Sequence, residues 1–297
     1  MNIGIIGSGK WTKALATLVA EAGNHPRIGY LEKPLPGFPG SPNLASVAKE
    51  SDLLFLAVPP KNMRQTILQA KLGPANHILI AARGLEPQTG NWLSDVITQE
   101  SAACRIGVLG GPVLPDEVFH RRPTAIVAAS HYAEVRKRAQ RAIHSAICRL
   151  YTSSDLRGVE LASSMVEALT IALGLADSLE QGIGVRGVIV TRGIAEVTRL
   201  GDKLGANAHS FAGLAGIGEL VSCAPKHPGY IAGRDLGMGK TISQDRQNNL
   251  KAMLALASHH QVELPLIEAV TAIALGKLRP RLAIDSLMRR EATAELI

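Results

Sequence analysis

The chain reads as an α/β protein: a doubly wound sheet over residues 1–153, then an all-helical domain over 154–297. Three observations predict this. Short apolar runs alternate with longer amphipathic stretches as far as Ser153, the pattern of strands and helices in a parallel sheet. The first run, Asn2 to Ile6, passes through Gly7-Ser8-Gly9 directly into a helical stretch. After Ser154 the composition changes and no convincing strand follows.

The N-terminal half is justified element by element. Asn2–Ile6 is a buried strand, and a helix runs from about Trp11 to Ala22, stopped by Gly23. Strand, glycine turn and helix form the Rossmann-like unit that holds a dinucleotide: Gly7 permits the tight turn, and Gly9 lets the backbone approach a pyrophosphate at the helix N-terminus. Thr12 occupies the third glycine position, where a β-branched side chain is expected to push helix and strand apart. Arg27 to Leu31 is the second strand, with Glu32 at its end. A carboxylate there accepts from a ribose and repels a 2′-phosphate, favouring NAD over NADP; a solvated strand-end charge is the other reading. Pro34, Pro36, Pro39 and Pro42 make the next stretch an irregular loop.

A short helix over 44–50 precedes the apolar strand from Asp52 to Val58, which ends in Pro59-Pro60. Asn62 to Ala70 is helical, His77 to Ala82 is a strand leading into Arg83-Gly84, and Gly90 to Gln99 is helical. The strand from Arg105 to Leu109 runs into Gly110-Gly111-Pro112; Thr124 to Ala129, His131 to Ala146 and Cys148 to Thr152 complete a strand–helix–strand unit. All these strands are expected to be parallel, with ligands across their carboxyl ends, where Pro59, Arg83 and Gly111 sit.

In the second half, Val159 to about Gln181 is a long, mostly apolar helix with one stripe of small and polar residues: Glu160, Ser163, Ser164, Glu167, Thr170, Gly174, Asp177, Ser178 and Gln181. Steps of three and four place them on one face, which either meets water or lines a cleft. No lysine occurs between Lys137 and Lys203. Helices follow over 188–200 and 208–211, then a glycine-punctuated segment over 213–220, a loop-like stretch over 226–239 with His227 exposed, and helices over 244–259 and 266–275, with 285–295 closing the chain.

Composition narrows the function. At 297 residues, 46% hydrophobic and 19% charged, the chain has ample core for two domains. The net charge of +7 is scattered rather than massed, which suits a small anionic ligand and not nucleic acid. Cys104, Cys148 and Cys223 lack metal spacing and are odd in number, as expected of a reducing cytoplasm, and no metal site is expected. No signal peptide and no apolar run of membrane-spanning length are read.

Several pieces together carry a family resemblance. They are Gly7-Ser8-Gly9-Lys10-Trp11 with Ala14-Leu15-Ala16, Val58-Pro59, Arg83-Gly84-Leu85-Glu86, Gly111-Pro112 with Glu117, and Pro123-Thr124-Ala125. The second half adds Gly182-Ile183-Gly184, 191–196, 215–221, 262–265 and Gly276-Lys277. In this order and spacing the chain resembles the NAD(P)-dependent glycerol-3-phosphate dehydrogenases. The resemblance implies reversible hydride transfer with dihydroxyacetone phosphate, NAD or NADP as cofactor with NAD favoured, a phosphorylated substrate, a homodimer, and neither a nucleic-acid nor a membrane partner.

It also implies site residues. The family's helix lysine and its neighbouring asparagine fall on Glu167 and Ala168, and a second lysine falls on Arg83. The aspartate and threonine of the glycine-rich segment fall on Glu219 and, with a one-residue deletion, Ser222. The arginine–asparagine pair that grips phosphate falls on Pro228 and Gly229, which offer no side-chain donors, leaving Lys226, His227 or Arg234 for that space. A cofactor-contacting glutamate falls on Asp245. The expected catalytic residues are therefore Glu167, Arg83 and Glu219. Cofactor contacts are expected from Gly7, Ser8, Gly9, Lys10, Trp11, Glu32, Pro59, Arg83 and Asp245, and substrate contacts from Gly111, Ser222, Lys226 and His227. Reversing the charge at position 167 leaves two further readings: a reductase for another small carbonyl or imine with Glu167 as acid, or a catalytically silent paralogue.

Overall fold

The computed structural model describes residues 1–222 and 227–283; Cys223, Lys226 and the closing segment 285–295 lie outside the described residues. Among the described residues the sheet has eight strands in the order β3-β2-β1-β4-β5-β6-β7-β8. These are β1 (Asn2–Ile6), β2 (His25–Gly29), β3 (Gly40–Ser41), β4 (Leu53–Leu56), β5 (His77–Ile80), β6 (Arg105–Gly110), β7 (Thr124–Ala129) and β8 (Cys148–Ser153). Interleaved with them are α1 (Lys10–Glu21), α2 (Leu44–Lys49), α3 (Met63–Ala70), α4 (Leu93–Glu100), α5 (Pro115–Phe119) and α6 (Ala133–Ile143). Strand order reverses between β1 and β4, so their carboxyl ends frame the crevice where open α/β sheets bind ligands.

Alternation along each strand sends its residues to two different cores. In β4, Leu53 and Phe55 join Leu15 and Leu18 of α1 and Val135 and Ala139 of α6 on one face. Leu54 and Leu56 pack on the other with α2, α3, α4 and the helical half. Both faces are covered, hence the unbroken apolar runs in the sequence.

Three local expectations are corrected here. β2 is displaced two residues toward the N-terminus because it pairs with β1 from Asn2↔His25 to Ile6↔Gly29, which leaves Glu32 beyond the strand. Thr12 does not hold α1 off the sheet: it is fully buried, with its Oγ1 only 2.5 Å from where a Cβ on Gly7 would stand. The missing side chain of Gly7 makes that room. Finally, β7 runs antiparallel to β6, and β8 is parallel to β7. The β6–β7 connection holds only the five-residue α5, too short a helix to carry the chain back across the sheet, so it returns antiparallel.

The second half consists of α7 (Leu156–Ser178), α8 (Ile183–Lys203), α9 (Ala208–Ala212), a π-type turn over 214–218, α10 (Glu219–Ser222), α11 (Pro228–Gly237), α12 (Gln244–His259) and α13 (Pro265–Ala274). At 23 residues, α7 is long and apolar enough to cross a bilayer, contrary to the sequence reading, yet it is buried inside the fold. Two carboxylates tie it and its neighbour into place. Glu160 of α7 accepts from the Ser94 amide (3.0 Å) and hydroxyl (2.6 Å) in the first turn of α4. Glu196 of α8 accepts from the Leu266 amide at 2.7 Å, capping α13.

The small-residue stripe of α7 serves mainly as a packing face. A Cβ on Gly174 would run into the backbone oxygen of Tyr230, and one on Gly233 into that of Ile171. Gly229 lies on Thr170, and Gly237 on Ser178. The segment over 226–239, read as a loop, is thus helix α11 from Pro228 onward, pressed backbone to backbone on α7. Pro228 sits in its first turn, where the absent N–H costs nothing.

Gly174→Ala is expected to lower stability by ~1–3 kcal/mol through overpacking, although alanine favours the helix by ~1 kcal/mol. Gly187→Ala in α8, where a Cβ meets nothing within 4 Å, should be neutral or stabilising. Urea denaturation of the two variants checks the sign of each.

Candidate active site

A cleft of about 610 Å³ opens along the carboxyl ends of β1, β2, β4, β5 and β6 and is closed on its far side by α7, α11 and α12. Gly7, Ser8, Gly9, Lys10, Trp11, Glu32, Pro59, Arg83, Gly111, Glu167 and His227 all line it, and so do Pro228, Gly229 and Arg246. Ser222 and Asp245 are not among the lining residues, and Arg234 is exposed on α11.

At the β1 end, Gly9 is the N-cap of α1 and supplies no side-chain cap, so the first-turn amides remain open. Nothing stands within 4 Å of a Cβ placed on Gly9, whereas one on Gly7 would lie 2.5 Å from the Ala57 oxygen. Gly7 lets the turn close against β4, and Gly9 leaves room above it. Trp11 donates its ring N–H to the Ala81 oxygen at 2.8 Å, joining α1 to the end of β5. Lys10 pairs with Asp116 at 2.7 Å, and Glu32 is exposed at the cleft mouth. Asp245 turns away to Lys61 at 2.8 Å, tying the start of α12 to the turn after Pro59.

At the inner end, Arg83 leaves β5 and pairs with Glu219, donating also to the Gly111 oxygen at 3.3 Å. Glu219 is buried, and neither of its oxygens has a well-formed hydrogen bond. Burial pushes its carboxyl up to about 7, against the opposing pull of the Arg83 charge. Ser222 spends its hydroxyl on the Glu219 backbone oxygen at 2.9 Å.

His227, expected to be exposed, is buried as the N-cap of α11. Its Nδ1 accepts from the Gly229 amide at 3.1 Å, which assigns the ring proton to Nε2, 3.9 Å from Glu219. Burial, with the charges of Arg83 and Arg246, pushes this imidazole down to about 4, so it is neutral.

Glu167, one turn beyond the Ser163 that touches Gly110, accepts from Arg246 and from Asn249 Nδ2 at 3.0 Å. Both carboxylate oxygens are thereby occupied as acceptors, which does not favour Glu167 as the acid of another reductase. Asn249 is buried, and its Oδ1 accepts from the Leu85 amide at 3.2 Å. Arg246 and Asn249 are the residues the sequence reading missed. The signal was available: a cation and an amide three apart at the start of a helix share one face. Among the described residues no group of three or more His, Cys, Asp or Glu side chains is placed to hold a metal.

An open helix N-terminus at one end of a cleft and two paired arginines at the other suit an extended anionic cofactor beside a small anionic substrate. Comparison with known proteins agrees. Residues 38–136 match the N-terminal family profile of NAD-dependent glycerol-3-phosphate dehydrogenase, and residues 155–285 match its C-terminal profile. The chain is similar to the glycerol-3-phosphate dehydrogenase [NAD(P)+] of Geobacillus kaustophilus, 32% identical over 99% of this chain and 96% of that one. It is also similar to that of Methylibium petroleiphilum, 32% identical over 99% and 98%. The solved glycerol-3-phosphate dehydrogenase of Coxiella burnetii superposes with a TM-score of 0.89 at 27% identity, over 97% of this chain and 98% of that one. With both halves matched and full-length relatives at this identity, the chain belongs to the NAD-dependent glycerol-3-phosphate dehydrogenase family.

Proposed function

We propose that this protein is an NAD(P)-dependent oxidoreductase that interconverts dihydroxyacetone phosphate and glycerol 3-phosphate. The observation that carries the reading is the cleft itself, with an uncapped α1 N-terminus at one end and the Arg83–Glu219 and Arg246–Glu167 pairs at the other. Residues 1–153 act as the dinucleotide-binding domain and 154–297 as the substrate domain.

The empty space above Gly9 and the free amides of α1 fit a pyrophosphate, so Gly7, Ser8, Gly9, Lys10 and Trp11 hold the cofactor there. Glu32 at the mouth faces the ribose and favours NAD, Pro59 and Arg83 line the nicotinamide end, and Asp245 acts through Lys61 at the rim. When bound, the nicotinamide supplies the hydride. Arg83 stabilises negative charge developing on the substrate oxygen, a role a fixed guanidinium performs without yielding its own proton. Glu219 is the buried acid that holds a proton near neutral pH, beside the Nε2 of His227. Gly111 and His227 shape the substrate end, while Ser222 steadies the Glu219 turn. Glu167 anchors Arg246.

We also propose a cytoplasmic homodimer. Ile183 and Val188 of α8 expose 87% and 56% of their surfaces, an apolar cost that a second copy would relieve. Cys104 and Cys148 are free thiols, as in a reducing compartment.

Titration with NADH and NADPH, followed by fluorescence, should give saturable binding below ~1 mM, tighter for NADH. Dihydroxyacetone phosphate should then consume the bound NADH. No binding of either cofactor at ~1 mM would sink the dehydrogenase reading.

Glu219 offers a second check. Its folded value of about 7 lies above the ordinary 4.5, so the folded chain keeps a proton that the unfolded chain has lost. Its stabilising contribution is full below pH 4.5 and is lost as pH rises through about 7. Glu219→Gln should remove a slope of up to ~1.4 kcal/mol per pH unit across that window, measured by urea denaturation at several pH values. The same variant should reduce dihydroxyacetone phosphate ~10²–10⁴-fold more slowly and lose the fall in rate above about pH 7. An unchanged pH profile would remove Glu219 from the proton path.

A further inference from the structure

We propose that Arg246 is the residue that binds the anionic end of the substrate, and that Glu167 is the positioning residue that aims it. The proposal rests on the reading of the cleft as a phosphorylated-ketone site.

Arg246 is the second residue after the Ser243–Gln244 start of α12 and projects into the cleft. A guanidinium carries five N–H donors, and Glu167, through Nη1, is the partner of Arg246 among the described residues. The rest of the fork is left for a ligand, in the geometry that phosphate oxygens accept in pairs.

The fork is held still. Glu167 Oε1 takes Arg246 and Oε2 takes Asn249, so one carboxylate is gripped by two residues on one face of α12. Asn249 is in turn fixed by the Leu85 amide, and a Cβ on Gly84 would stand 2.7 Å from its Oδ1. Glu167 therefore has no freedom to swing, and neither does the cation it holds. This is preorganisation of a charged group inside a cleft, obtained from three separate elements.

Location selects the substrate over the cofactor. Arg246 shares its wall with His227, Pro228 and Gly229, across from Gly7–Lys10 where α1 presents its amides. Along that wall Pro228 has no N–H, and the Gly229 amide is spent on His227. His227 itself stays neutral because it is buried, with the charges of Arg83 and Arg246 adding to the effect. Of the cations that line the cleft, Lys10 pairs with Asp116 beside the α1 turn and Arg83 spends both Nη atoms, on Glu219 and the Gly111 oxygen; Arg246, paired with Glu167 through Nη1, keeps its other donors for an oxyanion at this end.

The test is calorimetric titration of the NADH-loaded protein with glycerol 3-phosphate and, separately, with inorganic phosphate. Arg246→Gln should weaken glycerol 3-phosphate binding at least ~30-fold and leave NADH affinity within ~3-fold, whereas Arg246→Lys, which keeps charge but not the fork, should lose ~10-fold. Glu167→Gln should raise the KM for dihydroxyacetone phosphate ~3- to 10-fold with a smaller effect on kcat, because the cation remains but is loosened. Millimolar guanidinium should partly restore turnover in Arg246→Ala, an effect that a purely structural role would not produce. Unchanged glycerol 3-phosphate binding in both Arg246→Gln and Arg246→Lys would overturn the proposal, as would an equal loss of NADH affinity. If the wild type binds phosphate through Arg246 but turns over no dihydroxyacetone phosphate, the assigned reaction fails and the anion site stands. If it turns that substrate over and the Arg246 variants keep its KM, the reaction stands and the anion site fails. A wild type that binds neither anion overturns both.

Discussion

Backbone contact between α7 and α11 is the constraint on which the rest of the second half depends. Four glycines meet there: Gly174 on one helix, and Gly229, Gly233 and Gly237 on the other. Each glycine costs its helix up to ~1 kcal/mol relative to alanine, so the contact persists only because close packing offsets that cost. The approach places Pro228 and Gly229 beside Thr170 and therefore one turn from Glu167. The inner wall of the cleft follows from a helix–helix distance that no bulkier residue would permit.

At the inner end of the cleft, among the described residues, charge is arranged in two arginine–carboxylate pairs. Arg83 with Glu219 and Arg246 with Glu167 each combine a strand- or helix-end arginine with a carboxylate on a different element. The pairs differ in setting. Glu219 is buried and lacks well-formed hydrogen bonds, so its proton is easily kept; Glu167 is half-buried and has two donors, so it acts as a holder. Two glutamates in one cleft thus sit in opposite environments.

Much of the scaffold was legible in the sequence because it is written locally. The strand–Gly7-Ser8-Gly9–helix unit, the apolar runs of β4 and β6, and the length of α7 each depend on a short stretch and its periodicity. Most of the residues expected at the cleft do meet there. Ser222, Asp245 and Arg234 do not line it, because each is placed by a turn or helix face whose orientation sequence spacing leaves open. α11 was illegible for a related reason: Pro228 and three glycines are loop-formers by propensity, and only the surface of α7 makes them helical.

The amino-acid sequence by itself determined the class of fold, the family and the glycine turn at the cofactor end, since these follow from patterns within a few residues of one another. The tertiary structure alone decided the direction of β7, which depends on how short α5 returns the chain, and the burial of His227, which depends on α11 docking. It also decided the pairing of Glu167 with an arginine 79 positions away. A charge reversal at position 167 looks like the loss of a site when read along the chain. In three dimensions the cation returns from α12, because electrostatic compensation requires only proximity in space.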